Sequence, residues 1–261
     1  MENRAFKVDR LDVKVYRTRR DMGEAAGKAV AARLRTLLAT QSHVRMIFAA
    51  APSQQELLDH LVRADGINWK RVTAFHMDEY IGLPEGAEQS FGLWLKEAIF
   101  KRVRPGEVHY VDGRAKDVAA ECARYSALLK AEPVDLCCLG IGENGHIAFN
   151  DPPVADFKDP ALVKAVELDV PCRVQQVNDG CFPNFDAVPK IALTLTIPAL
   201  MAAKELHCVV PGPRKAAAVK RTLEGAVSTE CPATILRTHP AAVLYLDDDA
   251  SKLADTAIAG R

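Results

Sequence analysis

Residues 134–153 read VDLCCLGIGENGHIAFNDPP, and how this stretch divides decides the fold. Its first half, 134–140, is a short apolar run of the kind that forms a buried strand. Gly140, Gly142 and Gly145 then fit the G-x-G-x-x-G spacing of a dinucleotide-binding loop. That loop needs its third glycine to open a helix, because the helix N-terminus holds the pyrophosphate. Here Gly145 is followed by His-Ile-Ala-Phe-Asn-Asp and then Pro152-Pro153, and two prolines so soon argue against a long crossover helix. Glu167 and Asp169 lie only loosely where a ribose-binding acid would stand, and the motif falls in mid-chain rather than in an opening βαβ unit. The glycines therefore read as a tight turn at a strand end, one that lets the backbone approach a ligand and presents His146 and Asp151 on an irregular segment.

Outward from this strand, apolar runs alternate with amphipathic segments. Residues 44–50 (VRMIFAA), 71–77 (RVTAFHM), 190–196 (KIALTLT), 205–210 (ELHCVV) and 241–246 (AAVLYL) read as buried strands. Helices are expected from Asp21 to Leu38 and over 90–100, 117–130 and 213–225, where apolar residues recur at helical spacing. Ser53 with Glu56 three residues later has the capping-box pattern ahead of Leu57, Leu58 and Leu61, so a helix is expected to start at Ser53. Alternation on this scale predicts a single-domain, doubly wound α/β fold over 1–261, with a mostly parallel, Rossmann-like sheet and helices on both faces. No repeat or linker composition marks a domain boundary.

Such sheets bind ligands beyond the carboxyl ends of their strands. The positions to inspect are Pro52-Ser53, Asp78 to Tyr80, Gly142 to Asp151 and Pro211 to Lys215. In FHMDEYIGL (75–83), Asp78 and Glu79 stand at a strand end, where acids are costly unless solvated, paired or used. An imidazole moves protons near neutrality, and a neighbouring carboxylate fixes its tautomer and supports its cation. Each site alone also reads as structural, His146 as a packed histidine and Asp151 as a turn cap. Together they place a carboxylate base and a His–carboxylate pair in one crevice, as proton abstraction beside a carbonyl requires.

Composition narrows the partners. The 261 residues carry 34 basic and 34 acidic side chains, so there is no bulk field to gather nucleic acid or an anionic membrane. The start lacks a signal-peptide core, and the roughly 18 consecutive apolar residues of a membrane span occur nowhere. A cytoplasmic protein is expected, its seven scattered cysteines reduced and mostly buried. No His/Cys cluster has zinc-ligand spacing, so neither a metal nor an organic cofactor is expected. A homo-oligomer is compatible with the sequence.

FHMDEYIGL and LGIGENGHIAFNDP (139–152) resemble the two signature segments of the glucosamine-6-phosphate deaminase (isomerising) family, which shares its fold with the 6-phosphogluconolactonases. Weaker similarity extends over VPKIALTLTIPALMAAKEL (188–206), GPRKAAAV (212–219) and LRTHPAAVLYLDDDAS (236–251). The resemblance implies deamination of glucosamine 6-phosphate, or a related amino sugar, to the ketose with release of ammonia. By position it makes Asp78 the base that moves a proton between C2 and C1, and His146 the shuttle at the ring oxygen, assisted by Asp151. Asn144 stands where better-known members carry Asp; it still orients a ring by hydrogen bonding but takes no proton. Asp151 replaces a Glu and is one methylene shorter. Ser53, Glu79, Gly142, Gly145 and Lys215 are the expected substrate contacts, with Lys215 matching the family's phosphate-binding lysine.

The departures concern the phosphate. A Thr-Gly-Gly-Thr-Pro-like loop is expected after the first strand, where this chain has Pro52-Ser53-Gln54-Gln55-Glu56. An expected arginine ahead of Val188-Pro189-Lys190 aligns with Asp179 or Gly180, and Arg173 replaces it only if the loop is rearranged. PPVADFKDPALVK (152–164) lacks the Ser and Arg pattern of allosterically activated members, so no amino-sugar activator site of that kind is expected. His76 replaces an Asn beside the family's Asp and is either a substrate contact or structural. A sugar lactonase, which needs His146 as a base on water but no C2 base, and a catalytically weak sugar-binding protein are the rival readings.

Overall fold

The computed structural model describes residues 2–254. It opens with a hairpin, β1 (Glu2–Val8) and β2 (Leu11–Tyr16), paired antiparallel. Thr18 then caps α1 (Arg19–Thr40), its hydroxyl accepting from the Asp21 amide at 3.0 Å. β3 (Val44–Phe48), α2 (Gln55–Arg63), β4 (Val72–His76) and the short β5 (Asp78–Tyr80) follow. The next helical stretch is α3 (Phe91–Leu95), a π-helical segment (Lys96–Phe100) and α4 (Lys101–Val103). Then come β6 (Glu107–His109), α5 (Val118–Lys130), β7 (Leu136–Leu139), β8 (Val163–Glu167), α6 (Val170–Asn178) and β9 (Ile191–Leu195). The chain continues through α7 (Ile197–Met201), β10 (Glu205–Val210), α8 (Ala216–Glu224), β11 (Ala242–Asp247) and α9 (Asp248–Ser251).

Eight strands form one sheet in the order β1-β2-β11-β10-β7-β3-β4-β6. Every neighbouring pair is parallel except the β1–β2 hairpin. Strand alternation sorts the apolar side chains onto two faces. Met46, Phe48, Leu136, Cys138 and Val209 pack with α1, α2 and α3, whereas Ile47, Cys137, Leu139, Cys208 and Val210 pack with α5, α7 and α8. Both faces are thus covered, which is why these strands read as continuous apolar runs. On the first face α1 and α2 approach closely at Gly23 and Gly27, where a Cβ would lie 2.3 Å from the Glu56 Cβ and 2.5 Å from the His60 Cβ.

From β3 the chain winds outward through β4 to β6, then returns to β7 on the other side of β3 and winds on to β10 and β11. The direction of winding therefore reverses between β3 and β7, and the loops after these two strands diverge around a crevice. The signature stretch 140–151 is one of those loops.

Residues 190–196 depart from the expected parallel sheet. β9 pairs antiparallel with β5 and β8 in a separate three-stranded sheet. A short apolar run carries no information about the direction of its partner. This small sheet covers a third apolar cluster of Tyr80, Phe149, Cys172 and Phe182, and through the pairing of Asp78 with Thr194 it fixes the first signature segment. All seven cysteines are free, five of them buried, and no described helix is long and apolar enough to cross a membrane.

Candidate active site

A cavity of about 500 Å³ occupies the crevice at the β3/β7 reversal. Its walls are the loop after β3 (Ala49 to Ser53), Met77 and Asp78 at the start of β5, and Phe91 of α3. They are completed by Gly140 to Gly142, His146, Ala148 and Phe149 after β7, Gln175, Gln176 and Asp179 of α6 and its end, and Pro211 to Lys215 after β10. The volume lies within the roughly 300–1,000 Å³ of small-molecule sites.

The glycine-rich turn is built around an imidazole. The Gly142 amide donates to the His146 carbonyl at 2.9 Å and the Gly145 amide to the Gly142 carbonyl at 3.0 Å, closing a tight loop. A Cβ on Gly142 would lie 2.1–2.3 Å from three atoms of the His146 ring. The missing side chain of Gly142 is the space that the ring occupies. Gly145 has a φ of 92°, and a Cβ there would meet Cys231 Sγ at 2.6 Å. No helix follows Gly145; Asn150 instead pins the segment by donating to the Ile147 and Leu195 carbonyls, each at 2.9 Å.

His146 Nδ1 stands 2.8 Å from Asn144 Oδ1 and 2.9 Å from Asp151 Oδ1. Two acceptors facing Nδ1 assign the ring proton to it, which leaves Nε2, without a protein partner among the described residues, to accept from the cavity. Asn144 Nδ2 also donates to Asp151 Oδ1 at 2.9 Å, so the amide bridges both members of the pair. Asp151 is wholly buried, and the Asp169 amide at the start of α6 donates to its other oxygen at 3.1 Å. Burial pushes this carboxyl up, but the hydrogen bond and charge of His146, with the Asn144 and Asp169 bonds, outweigh it and hold it below the usual carboxylate range. The shorter Asp side chain does reach the imidazole, at 2.9 Å.

Asp78 is the opposite case. Its carboxylate lines the cavity, only 6% of the residue is exposed, and it receives no hydrogen bond from the described residues. Burial, and then the nearby charge of Glu79, raise it well above the usual carboxylate range. An acid with unused lone pairs, raised towards neutrality and facing a cavity, is suited to taking a proton from a bound molecule.

Glu79, expected as a substrate contact, is engaged within the protein. It does not line the cavity; its carboxylate accepts from Ser90 Oγ at 2.7 Å, Gly92 N at 3.0 Å, Tyr80 N at 3.0 Å and Phe91 N at 3.2 Å. It satisfies the orphan amides at the start of α3, the helix that brings Phe91 to the cavity. His76 is also turned inward: it is fully buried, its Nδ1 accepts from the Val111 amide at 3.3 Å, and burial pulls it down to about 3. It is a neutral structural imidazole.

The anion end differs from expectation in several ways. The Ser53–Glu56 capping box does not form. Pro52–Gln54 is a 3₁₀ turn and α2 begins at Gln55, with no side-chain cap. Glu56 instead packs against Gly23 of α1, and its Oε1 accepts from Arg19 Nε at 2.7 Å. Ser53 still lines the cavity, its Oγ accepting from Gln54 Nε2 at 3.2 Å and so leaving its proton to donate. Arg173 is not on the cavity wall: one guanidinium nitrogen donates to the Phe185 and Val188 carbonyls, each at 2.9 Å, and the group stacks 3.9 Å from the Phe185 ring. Asp179 pairs with Arg214 at 2.9 Å across the cavity wall.

Lys215 follows Gly212, whose φ of 89° turns the chain after β10 and whose amide is gripped by both Asp247 oxygens at 2.9 and 3.0 Å. The lysine is 91% buried, lines the cavity, and has no ion pair among the described residues; burial lowers it against the opposing pull of Asp179 and Glu143. An unpaired buried ammonium is costly unless an anion meets it.

Sequence reasoning passed over Cys172, whose buried thiol lies within 4.8 Å of the Asp151 carboxylate and is raised by burial first and by that carboxylate second. It also missed Gln176, a buried amide on the cavity wall with no protein partner among the described residues. Both lie on α6, which no periodicity marked.

Comparison with known proteins agrees with this geometry. Residues 17–245 match the family model of glucosamine-6-phosphate isomerases/6-phosphogluconolactonase. Glucosamine-6-phosphate deaminases from Bacillus cereus (strain B4264) and Bacillus thuringiensis (strain Al Hakam) are each 34% identical over 249 residues, covering 95% of this chain and 91% of theirs. A solved monomeric glucosamine-6-phosphate deaminase superposes with a TM-score of 0.84 at 29% identity, covering 92% of this chain and 99% of its own. The 6-phosphogluconolactonase of Thermotoga maritima shares the fold, with a TM-score of 0.74 at 20% identity over 91% of this chain and 99% of its own. The chain belongs to the glucosamine-6-phosphate isomerase/6-phosphogluconolactonase family.

Proposed function

We propose that the chain is an isomerising deaminase that converts glucosamine 6-phosphate and water to fructose 6-phosphate and ammonia. The observation that carries this reading is the presence, in one cavity, of an unengaged carboxylate with a raised affinity for protons (Asp78) and an imidazole with a free Nε2 (His146). A lactonase requires only the second.

In this mechanism His146 Nε2 takes the proton of the anomeric hydroxyl and returns it to the ring oxygen, opening the pyranose. The Asp151 carboxylate and the Asn144 amide carbonyl support the imidazolium through Nδ1. Asp78 removes the C2 proton, giving an enolamine between C1 and C2, and delivers it to C1. The resulting C2 imine adds water and expels ammonia, leaving the ketose. Lys215 and the Ser53 hydroxyl hold the phosphate at the far end, and Phe91 and Phe149 offer apolar faces to the sugar carbons. General base and general acid each contribute about 10²–10⁴-fold. The reading is tested by ammonia release from glucosamine 6-phosphate, with Asp78→Asn as control and 6-phosphogluconolactone as the alternative substrate. Lactone turnover without ammonia would assign the lactonase reaction instead.

A further inference from the structure

Three donors of different chemistry converge on the Nδ1 side of His146. The imidazole, the Asp151 carboxylate and the Cys172 thiol each bring one ligand atom within 4.8 Å of the other two, and all three residues are buried. Asn144 Oδ1, 2.8 Å from Nδ1, is a fourth donor atom, and the second oxygen, at the same place. Proton transfer to and from a sugar makes no use of a thiol, so the chemistry proposed above gives Cys172 no part beyond its packing in the third apolar cluster.

We propose that His146, Asp151 and Cys172 form a binding site for a thiophilic divalent cation, Zn2+, and that its occupation switches the active site off. A nitrogen, an oxygen and a sulfur suit zinc, whereas Mg2+ and Ca2+ take oxygen ligands. Zinc bonds of about 2.0–2.3 Å in a tetrahedron place ligand atoms about 3.3–3.6 Å apart, so the 2.9 Å contact between His146 and Asp151 must open slightly to admit the ion, while the widest separation in the group, up to 4.8 Å, must close by roughly 1 Å. A carboxylate and a thiolate together cancel the charge of the ion, leaving no net charge buried. Binding releases the thiol proton. The metal takes the Nδ1 lone pair, and the neutral ring then carries its single proton on Nε2. The nitrogen left for the cavity changes from acceptor to donor, and it can no longer take a proton from the sugar. Metal binding itself does not depend on which sugar is the substrate.

The test uses the full chain, reduced with a non-chelating phosphine. Co2+ is titrated by absorbance, and Zn2+ by competition with a chromophoric chelator. One equivalent is expected to bind, with a thiolate-to-cobalt band in the near ultraviolet and the intense visible bands of four-coordination. Cys172→Ser is expected to weaken binding by more than about 100-fold, beyond what losing an outer-shell partner does, whereas Cys122→Ser and Cys181→Ser retain it. Turnover of the wild type is expected to fall in step with occupancy and to return on adding chelator. Should Cys172→Ser fail to fold, the wild-type cobalt spectrum decides. No stoichiometric binding, a bound ion without the thiolate band, or equal affinity in the Cys172→Ser protein would overturn the proposal.

Discussion

Replacing Asp78 with Asn removes one proton acceptor and almost no volume, and its two expected effects point in opposite directions. Catalysis loses a general base worth about 10²–10⁴-fold, or roughly 3–5 kcal/mol of transition-state stabilisation. Stability rises. Burial and Glu79 hold the Asp78 carboxyl well above the usual carboxylate range, so the folded chain binds this proton more tightly than the unfolded chain does. Between the unfolded value, about 3.9, and the raised folded value, stability therefore falls as pH rises; above both, the full cost of ionising a buried acid remains. Asn carries no such cost. A gain of about 1 kcal/mol would lift the melting temperature by roughly 2–4 °C in a chain of this size. The assay is ammonia release across a pH series, paired with thermal melts of both proteins at neutral and mildly acidic pH. A variant that keeps wild-type turnover, or one that is inactive and also less stable near neutrality, would refute the assignment of Asp78 as a buried, ionisable base.

Further outcomes follow from the same geometry. The acid limb of kcat/KM in the wild type should lie above the usual carboxylate range, with activity rising as pH rises through the raised Asp78 value; a limb near pH 4 would contradict this. Gly142→Ala places a methyl group where the His146 ring lies, and displacing that ring by about 1 Å should cost on the order of 10²-fold in kcat, measured beside a melting curve that shows the fold intact. Asn144→Asp removes the donor to Asp151 and sets a second carboxyl against it, so one of the two should resist ionisation; stability should fall, and a more active variant would show that the amide is not the better partner here. Lys215→Met should lower kcat/KM for glucosamine 6-phosphate by roughly ten- to 150-fold, the worth of about 1.5–3 kcal/mol for a charged hydrogen bond, and leave unphosphorylated glucosamine almost unaffected.

Much of this architecture is legible in the chain because the strands at its centre are covered on both faces. ELHCVV and VRMIFAA stand out as apolar runs, and the prolines after Gly145 exclude the nucleotide-loop reading without coordinates. The direction of β9 is not legible, since an apolar run pairs equally well either way. α6 is hidden for a more specific reason: its exposed positions include Val170 and Val174, while Arg173, Gln175 and Gln176 are buried. This reverses the pattern by which a surface helix is recognised, because the inner face of α6 meets a polar cavity rather than the core. The partners of Glu79 and Glu56 are hidden from sequence for a related reason. Each glutamate is engaged by a partner distant in the chain, the α3 amides for one and Arg19 for the other, and local spacing carries no trace of either.

Glucosamine 6-phosphate deuterated at C2 shows whether this cavity both opens a sugar ring and moves a proton from C2 to C1. Ammonia and fructose 6-phosphate are expected in equal amounts, with a slower reaction than for the undeuterated sugar and part of the label at C1 of the ketose, carried there by the shielded Asp78 carboxyl. Unchanged substrate with the label intact, alongside rapid hydrolysis of a sugar lactone, would contradict the deaminase reading.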